Sequence, residues 1–240
     1  MLIDFEHIQR VLSSNAIDIT GAFHVGAHEC EELSFYNRLG LRDTDIIWID
    51  GIPAKVAQAT ARGVPNVYNA IITDTDDKEV VLNISNNVQS SSVLEFGTHS
   101  RSYPDIVYVD TVRQPSITVD TFFERHGIDA SKYNFWNFDI QGAELMALKG
   151  ATKSIQHAKA IYLEVNEKEL YANCALLPEV DSFLSECGFK RILTTITRNA
   201  WGDALYIRTG GWVAVQDPSS GRTYYAHPES GTSSWELPGR

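Results

Sequence analysis

The sequence predicts an α/β fold with a doubly wound, largely parallel sheet, and three observations support this prediction. Short apolar segments alternate with segments of helical composition from residue 20 to about residue 208. A glycine turn at Gly26 separates the first apolar segment from a helical one, as in nucleotide-binding βαβ units. Acidic residues follow several later strands. Because ligands bind beyond the carboxyl ends of strands in open parallel sheets, the pattern predicts a binding site at that edge.

The composition fits one sizeable globular domain and a smaller one. The chain has 240 residues, of which 43% are hydrophobic. Its formal net charge of −11 disfavours a broad nucleic-acid surface, because phosphate binding depends on Lys and Arg. No apolar run approaches the ~20 residues of a membrane span, no signal-peptide pattern opens the sequence, and the three cysteines follow no metal spacing. We therefore expect a cytoplasmic protein with free thiols.

The first βαβ unit carries an unusual charge pattern. An amphipathic helix (2–12) and a short apolar strand (23–25) open the chain, and a further helix is expected at about 29–39. Gly26 lets the backbone approach a ligand, and N–H groups at a helix start bind anions. Three acids crowd this helix start: Glu29, Glu31 and Glu32. They would repel a phosphate, so the pattern disfavours a pyrophosphate cofactor and favours a cationic ligand.

The second and third strands each end in an acid. The strand at 46–49 leads to Asp50, which lies 24 residues after the glycine turn, near the place where an acid binds a ribose in such folds. A helix with a first-turn proline is expected at 53–62. The strand at 67–72 closes on Asp74. Either acid alone could be a cap or turn residue, but together they indicate a binding edge.

The alternation of strand and helix breaks in the middle of the chain. Strands are expected at 78–84 and 106–112, and the segment 117–122 leads into a short helix. The loop between the two strands is polar and contains hydroxyl, imidazole and aromatic side chains. Because long loops are usually functional or disordered, we predict a substrate lid, with a flexible surface loop as the alternative. The predicted substrate contacts here are Ser91, Ser92 and His99.

The segment 133–150, YNFWNFDIQGAELMALKG, carries the strongest chemical signal. An aromatic-rich strand (134–138) is followed by a glycine turn and a helix (143–149). Asp139 lies at the joint between them, where an acid indicates chemistry at the sheet edge. Helix capping is the alternative role for Asp139. Glu144, within the predicted helix, is a further catalytic candidate.

A second acid is expected beside Asp139. A strand at 160–165 carries Glu164, and Asn166, a further predicted substrate contact, follows it. The remaining elements are a helix at 176–187 and two strands at 189–195 and 204–207, which form an antiparallel-looking end. If the strands that carry Asp139 and Glu164 are adjacent, both acids can face one acceptor. One could then act as a general base, or both could hold Mg²⁺ together with Asn166, since Mg²⁺ prefers oxygen ligands.

Seven stretches, taken in order, connect the chain to a known family. They are HVGAHECEE (24–32), WIDGIP (48–53), QSSSVLEF (89–96), SITVDTF (116–122), FDIQGAELMALKGA (138–151), YLEVNEKELY (162–171) and GDALYI (202–207). On these stretches, residues 20–208 resemble the FkbM family of methyltransferases, a branch of the Rossmann-like, class I methyltransferases that use S-adenosylmethionine (SAM). The resemblance implies that Gly26 and its neighbours hold the methionine end of SAM, that Asp50 holds the ribose hydroxyls and that Asp74 approaches the adenine. The neighbours concerned are His24, Ala27 and His28.

The C-terminal segment differs in kind from the rest of the chain. In residues 211–238, two turn clusters separate three short strands that contain two tryptophans, a tyrosine pair and a late proline. This pattern resembles a WW domain. The resemblance implies a structural buckle and an aromatic groove for proline-rich peptides. The buckle would be formed by Trp212, Tyr225 and Pro238, and the groove by Tyr224 and Trp235. A degenerate WW fold that serves as a structural cap is the alternative.

The predicted organisation is therefore an FkbM-like methyltransferase domain at 1–208 and a three-stranded antiparallel WW domain at 211–240. The favoured function is O-methylation of a sugar, glycan or related hydroxyl. A proline-motif adaptor whose larger domain has lost catalysis is the main alternative. An RNA or cap methyltransferase is a third reading, which the net charge of −11 disfavours.

Overall fold

The computed structural model describes residues 1–210, 213–227 and 231–235. The helices within these residues are α1 (Phe5–Ser14), α2 (Leu33–Arg38), α3 (Pro53–Ala61), α4 (His99–Ser102), α5 (Val119–Arg125), α6 (Glu144–Lys149) and α7 (Leu177–Glu186). The strands are β1 (Ala22–Val25), β2 (Ile46–Asp50), β3 (Val67–Asn69), β4 (Ile71–Ile72), β5 (Glu79–Ser85), β6 (Tyr108–Ile117), β7 (Phe135–Phe138), β8 (Ala160–Asn166), β9 (Phe189–Ile196), β10 (Trp201–Arg208), β11 (Val213–Gln216), β12 (Thr223–His227) and β13 (Thr232–Ser234).

A seven-stranded sheet forms the centre of the fold, in the order β3-β2-β1-β7-β8-β10-β9. The first five strands in this order, β3, β2, β1, β7 and β8, pair in parallel. β10 pairs antiparallel with both β8 and β9. This confirms the predicted α/β class and its antiparallel end. Phe138 lies opposite Val25 on one side and Leu163 on the other, so the carboxyl ends of β1 and β7 meet at one edge beside β8.

Both faces of the sheet are buried, which explains the nearly continuous apolar strands. Along β7, Trp136 and Phe138 pack into the core on one face of the sheet. Phe135 packs on the other face, near Tyr36 and Trp48. Aromatic rings therefore fill both layers and hold the ends of β1, β2 and β7 in fixed positions.

The prediction of one strand over 67–72 is wrong, because the chain leaves the central sheet there. β3 ends where Asn69 lies opposite Asp50, and the Ala70 N–H still donates to the Asp50 carbonyl. Ile71 and Ile72 then pair with β6 in a second sheet of order β4-β6-β5. The strand expected at 106–112 likewise continues to Ile117.

The prediction of a helix from residue 29 is also wrong, because α2 begins at Leu33. His28 and Cys30 adopt positive φ angles of 43° and 58°, which a helix does not allow. Glu31 stabilises this turn, since its carboxylate accepts the Glu29 N–H at 3.0 Å and pairs with His28 Nδ1 at 2.7 Å. Glu29 and Glu31 thus belong to a turn, whereas Glu32 is the N-cap residue of α2.

The predicted lid segment is folded in much of its length. It contains α4 and a 3₁₀ turn at Val88–Ser90, and Ser92 forms an antiparallel bridge with Asn83. The ring of Phe96 stacks on the ring of His99, with ring centroids 4.2 Å apart. Whether this segment acts as a lid stays a prediction.

The C-terminal strands form a separate antiparallel sheet of order β11-β12-β13. Tyr225 pairs with Ala214 and Ser234 and borders a cavity of about 420 Å³ together with residues of α7 and β9. Trp212, Pro228 and Pro238, which belong to the predicted buckle and turn, lie outside the described residues. The division into domains at 1–208 and 211–240 stays a prediction. None of the helices in the described part of the chain has the length and apolar character needed to span a bilayer.

Candidate active site

A cavity of about 560 Å³ opens at the carboxyl edge of β1, β2 and β7, next to β8. Seven of the residues predicted from the sequence line it: Gly26, His28, Asp50, Ser91, His99, Asp139 and Glu164. Six others are not among its lining residues: His24, Ala27, Asp74, Ser92, Glu144 and Asn166. The structure thus brings together the acids that follow β2 and β7 with the acid of β8, but not the acid that follows β4.

Gly26 has a reason to be glycine that the sequence did not reveal. Its φ is 92°, and a Cβ atom there would clash with the carbonyl oxygen of Asp139. Its N–H and that of Ala27 both donate to the Ile49 carbonyl, at 2.8 and 2.9 Å. These N–H groups are therefore committed within the protein, and Gly26 instead allows the turns after β1 and β7 to touch.

His24 belongs to the core. It is 1% exposed, and its Nδ1 lies 3.0 Å from the Tyr36 hydroxyl. Burial lowers the pKa of His24 to about 3, so the ring is neutral at physiological pH. The structure therefore gives no support to the predicted contact of His24 with a cofactor.

Asp50 connects two turns at the edge of the cavity. Its Oδ2 accepts the His28 N–H and its Oδ1 accepts the Ile52 N–H, each at 2.7 Å. Burial raises the pKa of Asp50, although these two hydrogen bonds oppose the rise. Beside it, the cavity wall is aliphatic and includes Ile52, Ile71 and Leu82. Asp74 is exposed outside the cavity, where its Oδ1 accepts the Thr75 hydroxyl.

One amide bridges the two predicted catalytic acids. Gln141 Nε2 lies 2.6 Å from Asp139 Oδ1 and 2.6 Å from Glu164 Oε2, and so donates to both. The Tyr171 hydroxyl donates to Gln141 Oε1, also at 2.6 Å. The adjacency of the two acids follows from the parallel pairing of β7 and β8, as predicted. Gln141 and Tyr171 were not predicted as site residues, although both lie in the stretches that carry the family resemblance.

The two bridged acids differ in access to the cavity. The Asp139 side chain is open to the cavity, whereas Glu164 is 5% exposed and its Oε1 has no partner among the described residues. Desolvation, with the nearby charge of Asp203, raises the pKa of Asp139 to about 6. Burial and the neighbouring carboxylates Asp139 and Glu144 raise the pKa of Glu164 well above its usual range. At neutral pH, Asp139 is therefore ionised, while burial favours the neutral form of Glu164.

Glu144 lies beneath the turn after β7 instead of in the cavity. Its carboxylate accepts the backbone N–H groups of Ile140, at 2.9 Å, and Gly142, at 3.0 and 3.1 Å. Burial raises its pKa to about 8. In this position Glu144 supports the turn, and its role as a catalytic acid stays a prediction. Ser92 supports the same turn, since its hydroxyl donates to the Gln141 carbonyl at 2.7 Å.

The side of the cavity near α4 and β10 is aromatic and polar. Tyr103 and Trp201 line it, and the Tyr103 hydroxyl accepts the indole N–H of Trp201 at 2.9 Å and the amide N–H of Asn199 at 2.7 Å. Asp203 also lines the cavity and accepts the Leu2 N–H and the Tyr162 hydroxyl. Of these residues, only Tyr103 lies in the loop predicted as a substrate lid, and the others had no predicted role in the site.

The cavity is acidic. Its described lining includes six carboxylates and no Lys or Arg side chain, the six being Glu31, Glu32, Asp50, Asp139, Glu164 and Asp203. The predicted Mg²⁺ site does not fit this arrangement, because an amide N–H donor lies between Asp139 and Glu164, and Asn166 does not line the cavity. The described residues also contain no group of three or more His, Cys, Asp or Glu that could hold a metal ion.

The C-terminal sheet presents an aromatic pair. Tyr224 and Trp235 contact each other edge to face, with ring centroids 5.8 Å apart, and Trp235 is 53% exposed. The Arg222 guanidinium lies 4.9 Å from the centroid of the Trp235 ring. Tyr224 and Trp235 are the two residues predicted to form the peptide groove, and they lie together on one face of the sheet.

The chain has detectable similarity to solved structures, although the scores are low. A protein in the NADB-Rossmann superfamily from Streptococcus agalactiae is 12% identical, with 87% of this chain and 69% of that chain covered at a TM-score of 0.44. Magnesium protoporphyrin IX methyltransferase from Synechocystis, solved with bound SAM, is 11% identical, with 85% and 79% covered at a TM-score of 0.38. A SAM-dependent methyltransferase from Aquifex aeolicus is 13% identical, with 86% and 89% covered at a TM-score of 0.38.

Such low scores carry no argument about activity, and a comparison with curated proteins finds no match. Sequence families give the decisive result. The family described as "Methyltransferase FkbM domain" matches residues 24–191, well over half of the chain, and the WW domain family matches residues 209–238. The chain therefore belongs to the FkbM methyltransferase-domain family and carries a WW domain after that domain.

Proposed function

We propose that the protein is a SAM-dependent O-methyltransferase that acts on a hydroxyl group of a sugar, glycan or related metabolite. The observation that carries this proposal is the acidic cavity at the carboxyl edge of the sheet, which contains Asp50 and Asp139. Its volume of about 560 Å³ lies in the usual range for small-molecule sites.

The residues of the cavity fit SAM. Asp50 is an ionisable carboxylate whose two oxygens each accept one backbone N–H, which leaves lone pairs for ribose hydroxyls. The aliphatic wall formed by Ile52, Ile71 and Leu82 suits a flat adenine ring. The surrounding carboxylates suit a sulfonium cation. When bound, SAM supplies a methyl group whose carbon bonds to the acceptor oxygen while the carbon–sulfur bond breaks and its electron pair stays on sulfur.

Asp139 is the residue best placed to take the acceptor's proton. Its Oδ1 accepts the Gln141 amide, and its Oδ2 accepts no hydrogen bond from the described residues. The carboxylate is open to the cavity, and a pKa of about 6 leaves it ionised at neutral pH. The hydroxyl proton of the acceptor passes to Asp139 Oδ2, a general-base step that contributes ~100-fold or more.

The aromatic side of the cavity supports a neutral, hydroxylated acceptor. Both lone pairs of the Tyr103 hydroxyl accept hydrogen bonds, from Asn199 and Trp201, so its proton is free to donate to an oxygen of the acceptor. The nearby Trp201 offers aromatic surface. The carboxylates in the lining would repel a phosphorylated or carboxylated acceptor, because no Lys or Arg lines the cavity in the described residues.

The WW domain would recruit a partner that carries a proline-rich segment. Such a segment already populates the extended conformation, so stacking it on Tyr224 and Trp235 costs little ordering entropy. All three cysteines are free thiols, which supports a reducing compartment such as the cytoplasm.

Calorimetric titration of SAM into the protein, followed by a radiolabelled methyl-transfer assay on neutral sugars and their phosphorylated counterparts, tests the proposal. The expected results are one SAM site per chain and transfer to a neutral sugar hydroxyl only. A protein that binds proline-rich peptides but no SAM would be the non-catalytic adaptor instead. Transfer restricted to phosphorylated sugars would contradict the assigned acceptor class.

A further inference from the structure

The Gln141 side chain is held at every polar atom. Its Nε2 donates to Asp139 Oδ1 and Glu164 Oε2, and its Oε1 accepts the Tyr171 hydroxyl, each at 2.6 Å. Tyr171 itself is fully buried. The amide therefore has one orientation, because its reversal would place a carbonyl oxygen against two carboxyl groups and leave the Tyr171 hydroxyl facing an NH₂ group.

The backbone at Gln141 is held as firmly as the side chain. Its φ is 56°, in the left-handed region that few residues other than glycine and asparagine favour. The Ser92 hydroxyl donates to its carbonyl, and Glu144 accepts the N–H groups of the residues on either side. Five side chains thus determine the position of this one amide, namely Ser92, Asp139, Glu144, Glu164 and Tyr171.

We propose that Gln141 is a positioning residue that separates the two acids, so that Asp139 Oδ2 is left as the proton acceptor and Glu164 is kept as its buried neighbour. This inference rests on the proposed function, because it takes Asp139 as the general base. It goes beyond that function by assigning a role to a residue that would not touch the reacting atoms.

The physical reason is the competition between two neighbouring carboxyl groups for one proton. If the amide were absent, the two carboxyl groups would face each other directly, and repulsion between their ionised forms would raise the pKa of Asp139. An N–H donor between the acids instead stabilises the ionised form of Asp139. Among the charged groups near Asp139, Asp203 and Glu32 favour its protonation and the N-terminal amine opposes it, while Glu144 and Glu164 have their own pKa values raised by the charge of Asp139. Gln141 also opposes the protonation of Asp139.

The test compares Gln141→Leu, which lacks the donor, with Gln141→Asn, which tolerates the left-handed backbone but carries an amide one methylene shorter. Tyr171→Phe removes the group that orients the amide. Tyr36→Phe removes another buried tyrosine hydroxyl, from a residue that does not line the cavity, and serves as the control.

The first readout is the titration of the Asp139 carboxyl carbon by NMR in the protein without SAM, with Asp139→Asn used to assign the signal. We expect its midpoint to rise by about one pH unit in Gln141→Leu and by less in Tyr171→Phe, since each loses part of a charge-assisted hydrogen bond. Tyr36→Phe should leave it unchanged. An unchanged midpoint in folded Gln141→Leu overturns the proposal. If the leucine variant does not fold, an unchanged midpoint in Gln141→Asn overturns it instead.

The second readout is kinetic. In Gln141→Leu, kcat should fall and the acid limb of its pH profile should move to higher pH, with the KM for SAM unchanged. A rise in KM alone would overturn the positioning role. The NMR readout needs no turnover, so it separates the two proposals. If the Asp139 midpoint rises in Gln141→Leu but the wild-type protein transfers no methyl group, the positioning role of Gln141 is supported and the proposed function is contradicted.

Discussion

Asp50 Oδ2 accepts the backbone N–H of His28 at 2.7 Å, so the acid at the end of β2 fastens the turn that follows β1. The same carboxylate accepts the Ile52 N–H at the start of the next connection. Asp50 therefore stabilises two turns by hydrogen bonds and also lines the cavity. Any test of its role in cofactor binding has to separate these two functions.

Asp50→Ala should weaken SAM binding by ~1–3 kcal/mol, the cost of losing hydrogen bonds to a charged group. Calorimetry at matched temperature measures this. Asp76→Asn is the matched control, because Asp76 Oδ1 also accepts a backbone N–H, from Thr118 at 2.7 Å, and does not line the cavity. Both variants should lower the melting temperature, but only Asp50→Ala should lower the affinity. Equal affinities in the two folded variants would remove Asp50 from the cofactor site.

Asp139→Asn should reduce turnover by ~100-fold or more while SAM binding is retained, because the amide cannot accept the hydroxyl proton. In the wild type, kcat should decline as the pH falls through about 6, where Asp139 takes up a proton. Initial rates across pH measure both effects, with the exposed Asp110→Asn as control. Turnover of Asp139→Asn near the wild-type rate would leave this residue with a structural role only.

Glu144 should make the protein less stable as the pH rises. Its folded-state pKa of about 8 exceeds the ordinary value of 4.5, so the folded protein binds this proton more tightly than the unfolded chain does. The free energy of unfolding should therefore fall between about pH 4.5 and about pH 8. Glu144→Gln should flatten this dependence, measured by urea unfolding at several pH values.

The control for Glu144 is Glu179→Gln. Glu179 also accepts a backbone N–H, from Leu176 at 2.8 Å, but lies exposed at the start of α7. The Glu179→Gln variant should show the same dependence of the free energy of unfolding on pH as the wild type. A Glu144→Gln variant with the wild-type slope would mean that other groups cause the dependence.

Trp235→Ala should weaken binding of a proline-rich peptide by ~30-fold or more, the effect of removing an aromatic hot spot of ~2 kcal/mol. Methylation of a small free acceptor should stay at the wild-type level, because the tether supplies local concentration and no chemistry. Fluorescence anisotropy and initial rates measure the two effects. Thr223→Ala, an exposed change on β12 of the same sheet, is the control. Loss of activity on the small acceptor in folded Trp235→Ala would place the WW domain in the active site.

The sequence predicted those parts of the site that depend on strand order. Asp139 and Glu164 are neighbours because β7 and β8 pair in parallel, and Asp50 lines the cavity because β2 ends at the same edge. Hydrophobic patterning and a resemblance that covers most of the chain were enough for these. The approximate positions of most helices and strands followed for the same reason.

The parts that the sequence did not predict depend on contacts between distant segments. The hydrogen bond from the Tyr171 hydroxyl to Gln141 joins the loop after β8 to the turn after β7, and no local sequence pattern indicates it. A helix was predicted from about residue 29, whereas the Asp50 carboxylate and the Glu31 side chain stabilise a turn with positive φ angles at His28 and Cys30. His24 was assigned to the cofactor from its place in a motif, but strand alternation turns it toward Tyr36.

A crystal structure of the protein with S-adenosylhomocysteine would show where the cofactor binds. We expect the product in the cavity at the carboxyl edge of the sheet, with its ribose hydroxyls within hydrogen-bond distance of Asp50 and its sulfur on the side of Asp139. A product molecule bound elsewhere, or a cavity without product in crystals grown at saturating concentration, would contradict this expectation.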